Sequence, residues 1–123
     1  MKKFIRFIPA LIWMSVIFYF STCQTTGIGG TSYWYRFLIL KSFHLIEYAI
    51  LFILINFALN SNLTSIILAY LYGVSDEIHQ SFTPGRTPKF TDTLIDLTGI
   101  FLGFLIYKFV LTPLFKKYFS KKP

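Results

Sequence analysis

Apolar runs dominate this chain and leave it few ways to fold. Four stretches, at about residues 4–21, 42–59, 63–81 and 92–114, are predicted as helices on the scale of the roughly 20 mainly apolar residues that span a bilayer core of about 30 Å. Short polar breaks separate them. The first is a Gly- and Thr-rich connection from Thr25 to Thr31, and the second is the turn signal Asn60-Ser61-Asn62. The third is the loop Thr83-Pro84-Gly85-Arg86-Thr87-Pro88, and Pro113 marks the end of the last helix. The third stretch is the weakest, because only its first twelve residues are fully apolar, and a re-entrant hairpin is the alternative there.

Composition agrees with an integral membrane protein. Of 123 residues, 54% are hydrophobic, 20% are aromatic and only 14% are charged, against about a quarter charged in soluble domains. Length leaves room for one domain, residues 1–123. The expected fold class is all-α, with four transmembrane helices in a compact bundle. The single cysteine, Cys23, excludes an internal disulfide and a cysteine-based zinc site. It follows a basic start and an apolar run, as a lipoprotein cysteine does, but Phe20-Ser21-Thr22 makes a poor small-residue cleavage site. The first helix is therefore read as retained.

The net charge of +7 is unevenly distributed. Lys2, Lys3, Arg6, Lys116, Lys117, Lys121 and Lys122 flank the ends, and Lys108 can snorkel to the same side. With an even number of spans, Arg36, Lys41, Arg86 and Lys89 fall on the other face. This asymmetry predicts both termini in the cytoplasm and a multi-pass protein of the inner (plasma) membrane. It offers no soluble basic face to a nucleic acid.

Against this apolar background the titratable groups are concentrated. Residues 75–103 hold four of the five acids (Asp76, Glu77, Asp92 and Asp96), together with His79 and Arg86. The fifth acid, Glu47, lies three residues after the other histidine, His44. Each ionisable group at membrane depth costs a few kcal/mol or more, roughly, on insertion scales, and persists where it is paired or used. Helical spacing sorts them into stripes: His44, Glu47, Tyr48 and Leu51; Ala69, Gly73, Asp76 and Gln80, flanked by Tyr72 and His79; and Asp92, Asp96, Gly99 and Gly103. Gly99-x-x-x-Gly103 is a small-residue motif that lets a neighbouring helix approach closely. Asp92 and Asp96 repel one another in a low dielectric unless a proton, a cation, Arg86 or a histidine intervenes. All these groups are expected near the outer surface, in one site.

The residues Asp76-Glu77-x-His79-Gln80-x-Phe82-x-Pro84-Gly85-Arg86, followed by Asp92-x-x-x-Asp96-x-x-Gly99-x-x-x-Gly103, resemble the signature of the VanZ-like family of small membrane proteins. Lys41-x-x-His44-x-x-Glu47-Tyr48 is similar to that family's first motif, and Phe18-Tyr19-Phe20-Ser21 to its approach to the outer loop. The resemblance covers nearly the whole chain, although the segment between Gln24 and Phe37 carries no motif of its own. It implies a fold, a site and an association with resistance to the glycopeptide teicoplanin. It does not imply a reaction.

Three chemical readings follow. In the first, the protein is an enzyme of the cell envelope acting on a lipid-linked or anionic substrate. His44 or His79 is its general acid or base, oriented by Glu47 or Asp76, with Glu77 and Asp96 in the same catalytic group. Arg86 then grips an anion, and Gln80, Asp92, Tyr48 and Lys41 line the substrate. A variant places a divalent metal on His44, Glu47, Asp76 and His79, since His44-x-x-Glu47 and Asp76-x-x-His79 each put a histidine and a carboxylate one turn apart. Zinc, manganese or iron would suit such ligands, and magnesium would prefer the carboxylates and water, with Arg86 as a competing counter-charge. In the second reading the protein binds or shields an amphiphilic ligand at the outer leaflet without chemistry. The third is a proton- or ion-coupled carrier, which at this size would need a homo-oligomer. A network that only fixes helix packing is the plainest alternative, but polar pairs in membranes stabilise by only about 1 kcal/mol each. Packing alone does not require two histidines, five acids and an arginine.

Overall fold

The protein is described by a computed structural model over residues 2–22, 33–82 and 90–119, all helical apart from two short connections. Helix α1 spans Lys2–Thr22, α2 Tyr33–Leu59, α3 Asn62–Gln80 and α4 Phe90–Ile106. A π-helical stretch, Tyr107–Leu111, joins α4 to α5, Thr112–Phe119. Among the described residues there is no strand. Helix α2 starts well before the expected residue 42. Its added turns, Tyr33-Trp34-Tyr35-Arg36-Phe37, contain neither glycine nor proline to stop a helix.

The last helix also differs from expectation, because Pro113 does not end it. Proline cannot donate to the carbonyl four residues back, and an α-helix normally breaks or kinks there. Here the preceding turn widens instead. The Thr112 backbone N–H and its hydroxyl both donate to the carbonyl of Tyr107, the hydroxyl at 2.9 Å. A π-helical turn of this kind accommodates the missing donor without a sharp break, and the helix continues to Phe119.

Among the described residues, two segments are long and apolar enough to cross a membrane, Leu38–Leu59 and Asp92–Tyr118, while the apolar part of α1, Phe4–Phe20, is shorter. The burial pattern is inverted relative to a water-soluble protein. Phe4, Ile12, Phe43, Leu63, Leu71, Phe101 and Phe109 face outward, while Asn56, Asp76, Gln80, Asp92 and Asp96 are buried. Charged residues are almost never fully buried in soluble domains, so this distribution suits an apolar surrounding.

Side-chain contacts show that the helices alternate in direction. Trp13 on α1 meets Glu47 on α2, and Arg6 lies over Phe57, so α1 and α2 are antiparallel. Tyr48 meets Asp76, and Asn56 bonds to Asn62, so α2 and α3 are antiparallel as well. Their turn passes through Asn60 at φ 55, in the left-handed region that asparagine tolerates better than most residues. Helices α2 and α4 run in the same direction and share the largest interface. A small core of Ala10, Ile17, Leu51, Phe52, Ile55, Ala69 and Ile100 lies between the helices around Tyr48.

Candidate functional site

The site is built on the α2–α4 pair. A Cβ added to Gly99 would lie 2.6 Å from the backbone oxygen of Leu45, and one added to Gly103 would lie 2.5 Å from that of Ala49. Both glycines therefore let the α4 backbone rest directly on α2, as small residues do where membrane helices meet. One and two turns nearer the start of α4, the same register aligns Asp96 with His44 and Asp92 with Lys41. His44 Nδ1 and Asp96 Oδ1 are 3.0 Å apart, and Lys41 forms an ion pair with Asp92. The repulsion expected between Asp92 and Asp96 is thus met by two cationic or ionisable partners on α2.

Helix α3 closes the site from the other side. Its buried face comprises Ser65, Ala69, Gly73, Asp76, Glu77 and Gln80, which bears out the stripe read from spacing and adds Glu77 to it. Tyr48, with no exposed surface, donates its hydroxyl to Asp76 Oδ2 at 3.4 Å, and Gln80 Nε2 donates to the same oxygen at 3.2 Å. Glu77 lies within electrostatic reach of Asp96, His44, Asp76 and Lys41. Gly73 packs so that a Cβ there would sit 3.2 Å from Asp96 Oδ2 and from the Tyr48 ring.

Helix α1 supplies the back wall. Tyr72 donates to the carbonyl of Met14 at 2.5 Å, and Trp13 Nε1 donates to the carbonyl of Glu47 at 2.8 Å. The His79 ring stacks on Phe18, with centroids 4.1 Å apart.

The structure therefore brings His44, Tyr48, Asp76, Glu77, Gln80, Asp92 and Asp96 together, with Lys41 at the rim. Two expectations change. The carboxylate that holds His44 is Asp96 on another helix, not Glu47 or Asp76, because Gly99 and Gly103 draw α4 onto the stripe that carries His44. His79 is not held by Asp76 either. Its ring lies against Phe18, and among the described residues its Nδ1 has no hydrogen-bond partner. Glu47 is half-buried beside the cluster and engages Trp13 through its backbone. Arg86, the expected anion-holding residue, lies outside the described residues, as does Cys23.

The expected metal ligands do not converge. Among the described residues no three His, Cys, Asp or Glu side chains form a group that could hold an ion. His44 is turned to Asp96 and His79 to Phe18, so the donors of the two histidine–carboxylate pairs point to different neighbours. Residues that spacing did not assign are Trp13, Met14 and Phe18, whose contacts cross between helices and leave no local signature. The Lys41–Asp92 pair did have one. Lys41-x-x-His44 and Asp92-x-x-x-Asp96 are matching one-turn steps on parallel helices.

Four buried polar atoms are left over. Both carboxylate oxygens of Glu77, Asp96 Oδ2 and His79 Nδ1 find no donor or acceptor among the described residues. Glu77 is 7% exposed and Asp96 1%, so water does not readily compensate them. Residues 4–112 match the family model described as VanZ/LLP1. No curated protein and no solved structure matches the chain.

Proposed function

The chain belongs to the VanZ/LLP1 family, and from that premise we propose a single-domain, four-span protein of the plasma membrane whose His44–Asp96 dyad exchanges a proton with an envelope amphiphile. Family membership and the two apolar helices make it a membrane protein. The alternating helix directions support α1 and α3 as further spans. The basic residues at the two chain ends support a cytoplasmic position for both termini and an outward position for the polar site.

The observation that carries the reading is the buried His44 Nδ1···Asp96 Oδ1 contact of 3.0 Å, set among Asp76 and Glu77. A carboxylate on Nδ1 fixes the tautomer and orientation of the ring and leaves Nε2 as the nitrogen that takes or gives a proton. A positioned general acid or base of this kind contributes about 10²–10⁴-fold in rate. In this reading Arg86, which follows Pro84-Gly85 in the sequence, holds an anionic part of the substrate. The family's link to glycopeptide resistance points to a lipid-linked envelope precursor as the substrate class.

Binding or shielding without turnover is the second reading. The unpartnered oxygens of Glu77 and Asp96 favour it, since they ask for a ligand but not for a reaction. Teicoplanin susceptibility of cells with wild-type or His44→Ala protein at matched membrane levels tests the dyad, and mass spectrometry of lipid-linked precursors separates the two readings. Acid–base chemistry predicts that the variant loses both protection and any precursor change. Full protection by His44→Ala would remove the dyad from the function.

A further inference from the structure

Among the described residues, every charged group of the site but one has a partner to account for it. Lys41 closes Asp92, and His44 takes one oxygen of Asp96. Asp76 receives Tyr48 and Gln80. Glu77 receives no hydrogen bond, although it is buried on the face of α3 that meets this cluster, and the second oxygen of Asp96 is in the same position. The cluster thus leaves three buried acceptor oxygens, Glu77 Oε1, Glu77 Oε2 and Asp96 Oδ2, without a donor among the described residues. Buried carboxylate oxygens without donors are strongly disfavoured.

Glycine at position 73 lets α3 pack closely against the unpartnered oxygen of Asp96. Residue 73 lies one turn before Glu77 on the same face of α3, and a methyl group there would stand 3.2 Å from Asp96 Oδ2. A side chain at this position would crowd the unpartnered oxygen.

We infer that Glu77 and Asp96, with Gly73 between their helices, bind a primary ammonium group carried by the ligand. A primary ammonium has three N–H donors and a full positive charge, which matches three unpartnered oxygens on two acids. Hydrogen bonds to a carboxylate from such a cation are short and about twice as strong as neutral ones. A quaternary ammonium has the charge without the donors, and among the described residues a bare metal ion finds no group of three His, Cys, Asp or Glu ligands. The inference deepens the proposed site by naming the chemistry of its ligand, and it rests on that reading for the site's access to the outer leaflet. The ammonium could belong to a zwitterionic lipid headgroup or to a free or polymer-borne amine.

Thermal unfolding of the full chain in phosphatidylcholine nanodiscs, at fixed ionic strength, tests this with ethylammonium and tetramethylammonium as probes. A bound ligand raises the melting temperature by mass action. Ethylammonium is expected to raise it and tetramethylammonium is not. Glu77→Gln is expected to weaken the ethylammonium response by about tenfold or more in apparent affinity, the scale of a lost charged hydrogen bond. Gly73→Ala, which keeps both acids, should weaken it by crowding Asp96 Oδ2. A second set of discs containing phosphatidylethanolamine identifies the source: stabilisation there that Glu77→Gln removes assigns the lipid headgroup, and a response to ethylammonium alone assigns a free or polymer-borne amine. Equal responses to the two cations, no response to either, or an undiminished response in Glu77→Gln would overturn the inference. A protein that shows no amine preference but loses protection in His44→Ala would lose this ligand class and keep the acid–base reading. The reverse pattern would keep the ligand and remove the chemistry.

Discussion

At the α2–α3 turn, Asn56, Asn62 and Ser65 exchange hydrogen bonds among neutral groups. At the opposite end of α2, four acids, a lysine and a histidine meet, and three carboxylate oxygens find no donor among the described residues. Both clusters have buried members, with Asn56 1% exposed, Ser65 0% and Asp96 1%. The difference lies in closure. Asn56 Nδ2 donates to Asn62 at 2.9 Å, Ser65 donates to Asn56 Oδ1 at 3.2 Å, and Ser65 also reaches the carbonyl of Ser61 at 2.7 Å. That arrangement fixes a tight turn and needs nothing further. The charged cluster contains more ionisable groups than packing requires and leaves some unmatched. Polarity inside a membrane protein therefore does not by itself indicate function; unmet polarity is the sharper sign.

The comparison is broken most forcefully at Gly99. Valine there would drive a branched side chain into the Leu45 backbone, since a Cβ alone would sit 2.6 Å from its oxygen. Backbone cannot turn aside as a flexible side chain can, so the helices must part, at a cost of about 3 kcal/mol or more. Because Lys41–Asp92 and His44–Asp96 rest on the same interface, the charged cluster should come apart as a unit. The α2–α3 turn, which uses neither glycine, should persist. Hydrogen exchange resolved by segment is the measurement: faster exchange in residues 41–48 and 92–99, with residues 56–65 unchanged. Equal protection of both ends in the variant would show that the glycines do not hold the charged cluster.

Asn56→Ala gives the second contrast and the smaller loss. It removes the donor to Asn62 and the acceptor from Ser65, a loss of about 1 kcal/mol. The melting temperature should fall, while the teicoplanin protection proposed for the protein should not change at matched membrane levels. Lost protection with intact expression would mean that the neutral cluster also belongs to the functional machinery, and closure would no longer separate the two.

Much of the charged cluster was legible because helical spacing is a local property. His44 with Tyr48, Gly73 with Asp76, and Asp92 with Asp96 fall on stripes by the three-and-four rule, and the structure buries those stripes. Partner choice was less legible, since it depends on how far one helix slides along another. Nothing near His44 in sequence says that Asp96 rather than Glu47 will hold it; the backbone contact of Gly99 and Gly103 with Leu45 and Ala49 decides that. Pro113 misled for a related reason. Its missing N–H was legible, but the π-helical turn that absorbs it depends on Thr112 reaching Tyr107. The fate of His79 turned on an aromatic neighbour from α1, a contact between residues 18 and 79 that no periodicity encodes.

The most discriminating prediction carries an energy no larger and the opposite sign. If Glu77 is a carboxylate kept without a partner for the sake of a ligand, the empty protein is destabilised by it. Glu77→Gln removes a buried charge, keeps the shape of the side chain and adds amide N–H donors in a region where Asp96 Oδ2 lacks one. The variant should therefore unfold at a higher temperature than wild type in phosphatidylcholine discs, by roughly 1 kcal/mol in stability, the usual scale on which a site gives up stability for binding. In the neutral cluster every comparable change should lower stability, because each group there already has its partner. A fall in melting temperature for Glu77→Gln, like that expected for Asn56→Ala, would mean that Glu77 is held by a stabilising partner within the protein, and the two clusters would then differ in charge but not in kind.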